Sequence, residues 1–296
     1  MLVAGGANFP DRMPWEGGKK IWHDRIWILD KPNGTWREGG HLPRPLAYGV
    51  SVTWHDSVVC VGGSDADRHY ADVFRLRWKD RMVSIEPLPA LPIPLSNACG
   101  ALVRDVVYVA GGSEQPGEQS ASSRAFALDL AVQPPEWREL PPIPGRGRLL
   151  STAAAYNESF YVFGGAALDP DADGKMRRVY LREAWCFQNN AWRRLADLPN
   201  PVAAAPSPAP VIDKRVLLIA GDDGSRTDFQ PIAKHPGFPP RILAYQIEQD
   251  AWSQLGETPA PRATLPVVQW DRMFVLPGGE VRPGYRSPEV WALSPR

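Results

Sequence analysis

The sequence predicts an all-β fold, a six-bladed β-propeller forming a single domain over residues 1–296, on three observations. An apolar run that ends at a glycine pair recurs six times along the chain. Between these runs lie alternating strands with an aromatic residue, and most repeats also hold a tryptophan strand. The 32 prolines and 26 glycines supply turns between many short strands. Sheets of this kind, packed around an axis, bury their faces against neighbouring sheets.

The apolar runs set the period of the repeat. They read MLVAGG, SVVCVGG, VVYVAGG, FYVFGG, VLLIAGD and MFVLPGG. Their first glycines, taken as Gly5, Gly62, Gly111, Gly164, Gly221 and Gly278, are 57, 49, 53, 57 and 57 residues apart. This spacing is near the kelch period of about 50 residues. Glycine suits the position because the absence of a Cβ lets strands approach closely and turn sharply.

Each repeat is predicted to form four antiparallel strands, named a to d from the axis outwards. Strand a holds small apolar residues, as in LLSTAAAYNE, and strand b ends at the glycine pair. Strand c carries an aromatic residue, as in RIWILD, and strand d carries tryptophan, as in EWRELPPIP. The second repeat has VSIEPLPALP in place of a tryptophan strand.

The terminal blades are predicted to be incomplete. The first repeat starts at strand b, and the last ends after strand c with EVWALSPR. A strand d and a strand a, consecutive in a closed ring, are therefore missing. We expect an upstream segment of roughly 30 to 40 residues to supply them, with Met1 an internal or misassigned start, because an open ring leaves unpaired edges. A ring closed with two thin blades is the alternative.

Composition excludes several partners. The 33 basic and 33 acidic residues balance, which argues against binding to nucleic acid or an anionic membrane. No apolar run approaches the length of a membrane span and no signal peptide is recognisable, so we expect a cytoplasmic protein, or a periplasmic one if an upstream segment exists. Cys60, Cys99 and Cys186 lie far apart and are predicted to be buried thiols.

Propeller topology predicts which residues share one face. The b-to-c and d-to-a connections emerge together, so polar residues after the glycine pairs meet those after the tryptophan strands at one central mouth. The first set is Asn8, Asp65, Glu114, Asp222, Asp223 and Glu280, and the second is Arg44, Arg146, Arg148 and Arg262. Such a ring is typical of a small-molecule site, and equally of the polar rim of a soluble propeller.

No metal or cofactor is expected. The segment DPDADG, with Asp169, Asp171 and Asp173, imitates the start of a calcium loop, but its twelfth position is Tyr180. The five histidines lack paired spacing, which argues against copper or zinc. The fifth-repeat insertion, residues 222–240, is interpreted as either a lid over the mouth or a proline-rich loop.

Two motifs give a family resemblance. AGGANFPDRMPWEGGKK with RPLAYGVSVTW in the first two repeats, and GGEVRPGYR in the last, resemble the N-acetylneuraminate epimerases, the sialic acid mutarotases. The order of the motifs is that of the family with the ring cut elsewhere, so the chain resembles a cyclically permuted branch. The resemblance implies that Glu280 is the catalytic base and Arg286 its partner. Asn8, Arg44, Tyr48 and Arg262 are the expected substrate-binding residues.

The expected reaction suits these residue types. Mutarotation needs a base for the anomeric hydroxyl and an acid for the ring oxygen, and one carboxylate can serve as both in turn. A guanidinium binds the substrate carboxylate, which Arg286 could do with Arg44 or Arg262 opposite. A loop ion pair between Glu280 and Arg286, worth little on an exposed surface, is the structural alternative to this functional role. The alternative function is a non-catalytic kelch module that binds a protein or a glycan; oligomeric state is not predicted.

Overall fold

Six antiparallel sheets are arranged as the blades of a propeller, and the prediction of an all-β, six-bladed fold is confirmed. The computed structural model describes residues 1–117 and 119–294. Two short 3₁₀ helices, Pro14–Glu16 and Ile232–Lys234, lie in connections between strands. None of the helices in the described ranges is long and apolar enough to span a bilayer.

The strands follow one another blade by blade. Blade 1 contains β1 (Leu2–Ala4), β4 (Arg25–Ile28) and β5 (Arg37–His41), with a hairpin of β2 (Ala7–Asn8) and β3 (Ile21–Trp22) between its first two strands. Blade 2 contains β6 (Val50–Trp54), β7 (Ser57–Val61), β8 (Val73–Lys79) and β9 (Met82–Leu88). Blade 3 contains β10 (Cys99–Val103), β11 (Val106–Ala110), β12 (Ala125–Asp129) and β13 (Trp137–Leu140).

The second half repeats this order. Blade 4 contains β14 (Thr152–Tyr156), β15 (Ser159–Phe163), β18 (Ala184–Gln188) and β19 (Ala191–Arg194), with a hairpin of β16 (Ala166–Pro170) and β17 (Met176–Tyr180). Blade 5 contains β20 (Val211–Ile212), β21 (Arg215–Ile219), β22 (Arg241–Gln246) and β23 (Ala251–Glu257). Blade 6 contains β24 (Val268–Trp270), β25 (Met273–Pro277) and β28 (Val290–Leu293), with a hairpin of β26 (Glu280–Arg282) and β27 (Tyr285–Arg286).

The glycine pairs are required by a close approach between the end of strand b and the connection that follows strand d. In blade 4 the N–H of Gly165 donates to the carbonyl of Val202 at 2.8 Å. Gly164 has φ +55°, and a Cβ placed on it would lie 2.2 Å from that same carbonyl oxygen. In the fifth copy, the sequence was taken to place Gly221 at the first position of the pair. In the structure Ala220 (φ +55°) occupies the first position and Gly221 the second, so the predicted pair was placed one residue too late.

The recurring tryptophans join consecutive blades at their outer edges. The indole N–H of Trp137 donates to the carbonyl of Pro89 at 2.7 Å. Trp192 and Trp252 do the same to the carbonyls of Pro141 and Ala196, at 2.7 and 2.9 Å. Each indole thus satisfies its donor on the preceding blade while its rings fill the space between blades.

A chain of backbone hydrogen bonds runs around the axis from blade 2 to blade 6, where strands a begin. The residues at that position have left-handed backbones, with φ between +54° and +62°: Tyr48, Asn97, Leu150, Ala204 and Thr264. From Asn97 onward, each N–H donates to the carbonyl of its counterpart in the preceding blade, at 2.7 to 2.9 Å. This chain fixes the residues that line the centre of the propeller.

Apolar cores lie between consecutive blades. Between blades 4 and 5, for example, Phe163, Leu218 and Tyr245 are almost completely buried against one another. Corresponding clusters join blades 1 to 2, 2 to 3, 3 to 4 and 5 to 6. The side chains at the blade ends are therefore held on a rigid framework.

Candidate functional site

A cavity of about 560 Å³ opens at the mouth where the b-to-c connections emerge. Every blade contributes to its wall: Trp22 from blade 1, His69 from blade 2, Ser113 from blade 3, Arg178 from blade 4, Asp222 from blade 5 and Glu280 from blade 6. A second cavity of about 420 Å³ follows the axis and is lined mainly by small apolar residues. The residues of the axial backbone chain line both cavities and so separate them.

Glu280 and Arg286 are cross-strand partners in the β26–β27 hairpin. The guanidinium Nη1 of Arg286 donates to Oε2 of Glu280 at 2.7 Å, and the backbone N–H of Gly284 donates to Oε1 at 2.7 Å. Both side chains line the mouth cavity and are about one-fifth exposed, 17% for Glu280 and 21% for Arg286. The hairpin thus holds a positioned carboxylate at the edge of a solvent-filled space.

The hairpin also closes the seam between the last and first blades. Arg286 Nε donates to the carbonyl of Ala7 at 3.3 Å, across 279 residues of sequence. The rings of Trp15 and Tyr285 lie 5.9 Å apart between centroids. The candidate site is therefore built by both ends of the described chain.

Tyr48 and Lys20 extend this group of side chains on the blade 1 side. The Tyr48 hydroxyl lies 3.5 Å from Nη2 of Arg286 and accepts a hydrogen bond from Lys20 Nζ at 3.2 Å. Lys20 Nζ also lies over three aromatic rings, 5.4 Å from the centroid of Phe9, 5.5 Å from Trp22 and 5.4 Å from Tyr48. Cation–π attraction accounts for the position of this ammonium group.

The opposite wall is held by hydrogen bonds within the protein. Asp65 accepts hydrogen bonds from the Tyr70 hydroxyl and from the backbone N–H groups of Asp67 and Arg68. Burial is the largest single effect on its pKa and raises it, but these hydrogen bonds and the charge of Arg68 together outweigh burial and lower the pKa. Asp222 accepts the Tyr180 hydroxyl at 2.5 Å. These two carboxylates are engaged before any ligand enters.

His69 is a further titratable group in the cavity wall. Its Nδ1 donates to the carbonyl of Ser113 at 3.0 Å, which leaves Nε2 as an acceptor in the neutral ring. Burial is the main cause that lowers the pKa of His69, partly offset by the bond to Ser113. The imidazole is thus a neutral hydrogen-bonding group near neutral pH.

The fifth-blade insertion forms part of the cavity wall. Ile232 and Phe238 line the cavity, and Arg226 Nη1 donates to the carbonyl of Gly237 at 2.7 Å within the segment. A Cβ on Gly237 would lie 2.8 Å from the carbonyl oxygen of Val281, so the insertion packs directly on the β26–β27 hairpin. It adds the apolar side chains of Ile232 and Phe238 to the cavity wall.

Three expected substrate-binding residues lie elsewhere. Arg262 is 3% exposed and donates to the Gly278 carbonyl at 2.7 Å and to Glu289 at 2.5 Å, away from the cavity. Arg44 pairs with Asp72 at 3.1 Å and stacks over Tyr70. Asn8 contacts His23 at 2.9 Å, because the cavity side of its strand is taken by its neighbours Ala7 and Phe9. Among the four expected substrate-binding residues, the structure brings only Tyr48 to the cavity wall.

Other members of the predicted ring are also held by structural contacts. Arg148 is fully buried and pairs with Glu183, while Arg146 pairs with Asp169. Glu114 accepts the Ser122 hydroxyl at 2.9 Å, and Asp223 pairs with Arg241. Of the ten residues of the predicted ring, three line the mouth cavity: Asp65, Asp222 and Glu280.

The calcium-like segment is the turn of the β16–β17 hairpin. Asp171 accepts the backbone N–H groups of Asp173 and Lys175 at 3.0 and 2.9 Å and pairs with Arg177 at 2.7 Å. Its carboxylate is therefore used within the turn. Over residues 1–117 and 119–294, no group of three or more His, Cys, Asp or Glu side chains is arranged to hold a metal ion.

The thiols are unpaired. Cys99 and Cys186 are buried, and Cys60 is half-buried. Burial raises the pKa of Cys99 to about 12, so this thiol is protonated and unreactive at neutral pH.

Sequence reasoning missed several cavity residues, chiefly Lys20, Trp22 and His69. Each lies deep within a b-to-c connection, whereas the topological argument selected only the first polar residue after each glycine pair. The signal for these residues lies in the same connections, as the two Lys residues of WEGGKK and the histidine of ADRHYAD.

Comparisons with known proteins agree with these motifs. A family model described as N-acetylneuraminate epimerase matches residues 1–85. The N-acetylneuraminate epimerase of Haemophilus influenzae (strain PittEE) is 26% identical over 225 residues, which cover 68% of this chain and 58% of that protein. The protein of the same name from Salmonella enteritidis PT4 (strain P125109) is 24% identical over 228 residues, covering 69% of this chain and 57% of that protein. The chain thus spans less than two thirds of the length of these relatives.

The fold has a match among solved structures. "Structure of YjhT" aligns with a TM-score of 0.71 and 16% identity, covering 93% of this chain and 89% of that chain. At this identity the match shows the fold. In sequence and in its motifs, this six-bladed β-propeller resembles the N-acetylneuraminate epimerases, as the sequence predicted.

Proposed function

We propose that the protein is a cofactor-free mutarotase that interconverts the anomers of a sugar acid of the N-acetylneuraminate type. The observation that carries the proposal is the Glu280–Arg286 pair, which projects from one hairpin into a cavity large enough for a monosaccharide. The same two residues match the GGEVRPGYR motif through which the chain resembles the epimerases.

Glu280 is the proposed general base. Each of its carboxylate oxygens accepts one hydrogen bond from the protein, from Gly284 and from Arg286, and each retains a further lone pair. One of these lone pairs takes the proton of the anomeric hydroxyl. The bond between the anomeric carbon and the ring oxygen then breaks, with its electron pair going to the oxygen, which is protonated.

The opened sugar is a ketone, which closes again after rotation about the bond next to the carbonyl carbon. Closure on the other face of the carbonyl gives the other anomer, and protons return in the reverse order. No electrons are gained or lost and no group is transferred, so the reaction requires only proton donors and acceptors. Side chains already in the cavity wall supply both.

The proposal is tested by exchange NMR on N-acetylneuraminate at anomeric equilibrium, with the buffer rate subtracted. Glu280→Gln keeps the shape and the hydrogen bond from Gly284 but removes the basic oxygen, so the exchange rate should fall by roughly 100-fold to 10,000-fold. The matched control is Glu139→Gln, which breaks an Arg124–Glu139 pair of similar geometry, at 2.8 Å, on the outside of blade 3.

An unchanged exchange rate in folded Glu280→Gln would reject Glu280 as the general base, and a native protein that does not accelerate exchange would reject the mutarotase proposal. A sugar that binds without faster exchange in the native protein would then favour a non-catalytic module that binds a glycan. Circular dichroism and the thermal midpoint establish that each variant is folded.

A further inference from the structure

We propose that Lys20 and the hydroxyl of Tyr48 form the subsite for the substrate carboxylate, and that Arg286 positions Glu280 instead. This inference rests on the proposed function, because it names the groups that recognise the acid within the same cavity. It assigns a role to the cluster of one lysine and three aromatic rings beside the Glu280–Arg286 pair.

The guanidinium of Arg286 is already engaged. Its Nη1 donates to Glu280 at 2.7 Å, its Nε to the carbonyl of Ala7 at 3.3 Å, and its Nη2 points to the Tyr48 hydroxyl at 3.5 Å. A substrate carboxylate that bound the guanidinium by two parallel bonds would displace one of these partners. Displacing Glu280 would move the base away from the position in which the hairpin holds it.

Unlike the guanidinium of Arg286, the ammonium group of Lys20 has no carboxylate partner in the described residues. Lys20 is half-buried, and no carboxylate within residues 1–117 and 119–294 lies within 4.0 Å of its Nζ. The faces of Phe9, Trp22 and Tyr48 attract the cation but leave its charge uncompensated. One of its three N–H bonds points to Tyr48, and the others remain for an incoming anion.

The nearby acids are satisfied by other groups. Asp65 is held by Tyr70 and its own loop, and Asp222 by Tyr180 at 2.5 Å and by the N–H of Gly224 at 3.0 Å. An anionic ligand would therefore complete the charge balance around Lys20 without breaking an existing ion pair.

Tyr48 supplies the second donor. Its oxygen has Lys20 Nζ at 3.2 Å and Arg286 Nη2 at 3.5 Å as donors, so its own O–H proton points to a third position. The backbone of Tyr48 is fixed at φ +62°, and its carbonyl accepts the N–H of Asn97 at 2.9 Å. Lys20 and Tyr48 thus present two donors to one face of the cavity.

The short distance between the Lys20–Tyr48 subsite and Glu280 fits the structure of the proposed substrate. In an N-acetylneuraminate-type sugar, the carboxylate and the anomeric hydroxyl are attached to the same carbon atom, so the anchor and the base must be close. The hydrogen-bonded chain from Lys20 through Tyr48 and Arg286 ends at Glu280. A carboxylate on Lys20 and Tyr48 therefore brings the anomeric carbon beside the Glu280 hairpin.

The test compares the acid with its methyl ester, which has the same ring and no negative charge. Exchange NMR over a range of sugar concentrations gives KM and kcat for the native protein, Lys20→Met and the control Lys19→Met, which alters the exposed neighbouring lysine. Lys20→Met should raise KM for the acid by roughly 10-fold to 100-fold, the value of a charge-assisted hydrogen bond, and change KM for the ester less than about threefold. Lys19→Met should match the native protein.

Equal effects on the acid and the ester, or no effect on either, would overturn the Lys20 assignment while leaving the Glu280 result intact. If the native protein does not accelerate exchange, saturation-transfer NMR of N-acetylneuraminate binding decides the question. Binding of the acid that Lys20→Met weakens would uphold a carboxylate subsite in a non-catalytic protein. Binding that is absent, or independent of Lys20, would reject it.

Discussion

Replacement of Gly164 by alanine tests the physical origin of the repeat. The added Cβ would lie 2.2 Å from the Val202 carbonyl oxygen, 0.8 Å inside the 3.0 Å that real contacts respect. That oxygen also accepts the N–H of Gly165 at 2.8 Å, so relief of the overlap weakens a hydrogen bond between the end of β15 and the connection that follows β19. The left-handed φ of +55° adds a backbone penalty.

The matched control is Gly174→Ala in the exposed turn of the β16–β17 hairpin. Gly174 has φ +77°, but a Cβ there meets nothing within 4 Å, so only the backbone penalty applies. That penalty is about 1–2 kcal/mol in both variants. Overpacking and a weakened hydrogen bond bring the expected loss for Gly164→Ala to about 3–6 kcal/mol.

Urea unfolding followed by tryptophan fluorescence measures both losses. The free energy of unfolding should fall by about 2–4 kcal/mol more in Gly164→Ala than in Gly174→Ala. If the two variants lost the same stability, the glycine would be required only for its backbone angle, and the explanation from close approach would be refuted.

Two further predictions concern ion pairs. Glu183→Gln leaves the fully buried Arg148 without its carboxylate and should cost about 2–4 kcal/mol in urea unfolding. Glu158→Gln, in the Arg104–Glu158 pair whose two side chains are both exposed, should cost less than about 1 kcal/mol because water replaces the carboxylate. Equal losses would contradict the role of burial. In Asp223, hydrogen bonds from Ser225 and Arg241 together outweigh burial and lower the pKa from its ordinary value of 3.8. The ionised form is thus favoured in the folded protein, and the stability it provides is complete above pH 3.8 and lost as the pH falls through the lowered pKa. Between pH 7 and pH 2.5, the thermal midpoint of Asp223→Asn should therefore fall less steeply than that of the native protein. Parallel curves for the two proteins would show that Asp223 contributes nothing to acid unfolding.

The blade pattern could be predicted because its causes are local and recur. A Cβ at the first position of a glycine pair meets a carbonyl at 2.2 to 2.5 Å in blades 1 to 4, so those copies require the same residue. The outer tryptophans recur because each indole bonds to the preceding blade. The one-residue misalignment of the fifth copy arose because Ala220 adopts the left-handed backbone that glycine adopts elsewhere.

The Glu280–Arg286 pairing was also accessible from sequence, since a seven-residue hairpin with a Pro-Gly turn places its ends opposite one another. The positions of the remaining expected site residues could not be predicted from the sequence. Topology gives the face on which a loop emerges but not the direction of its side chains. Arg262 and Arg148 leave the mouth because acidic residues from later in the chain, Glu289 and Glu183, pair with them.

The sequence by itself determined the number of blades, the order of their strands and the hairpin that carries Glu280 and Arg286, since each depends on spacing within one repeat. Only the tertiary structure decided which charges are compensated. Lys20, Tyr48 and Arg286 lie up to 266 residues apart in sequence, and they meet because the seam joins the first blade to the last. An ion pair forms wherever folding brings opposite charges within contact, and that distance depends on the packing of all six blades.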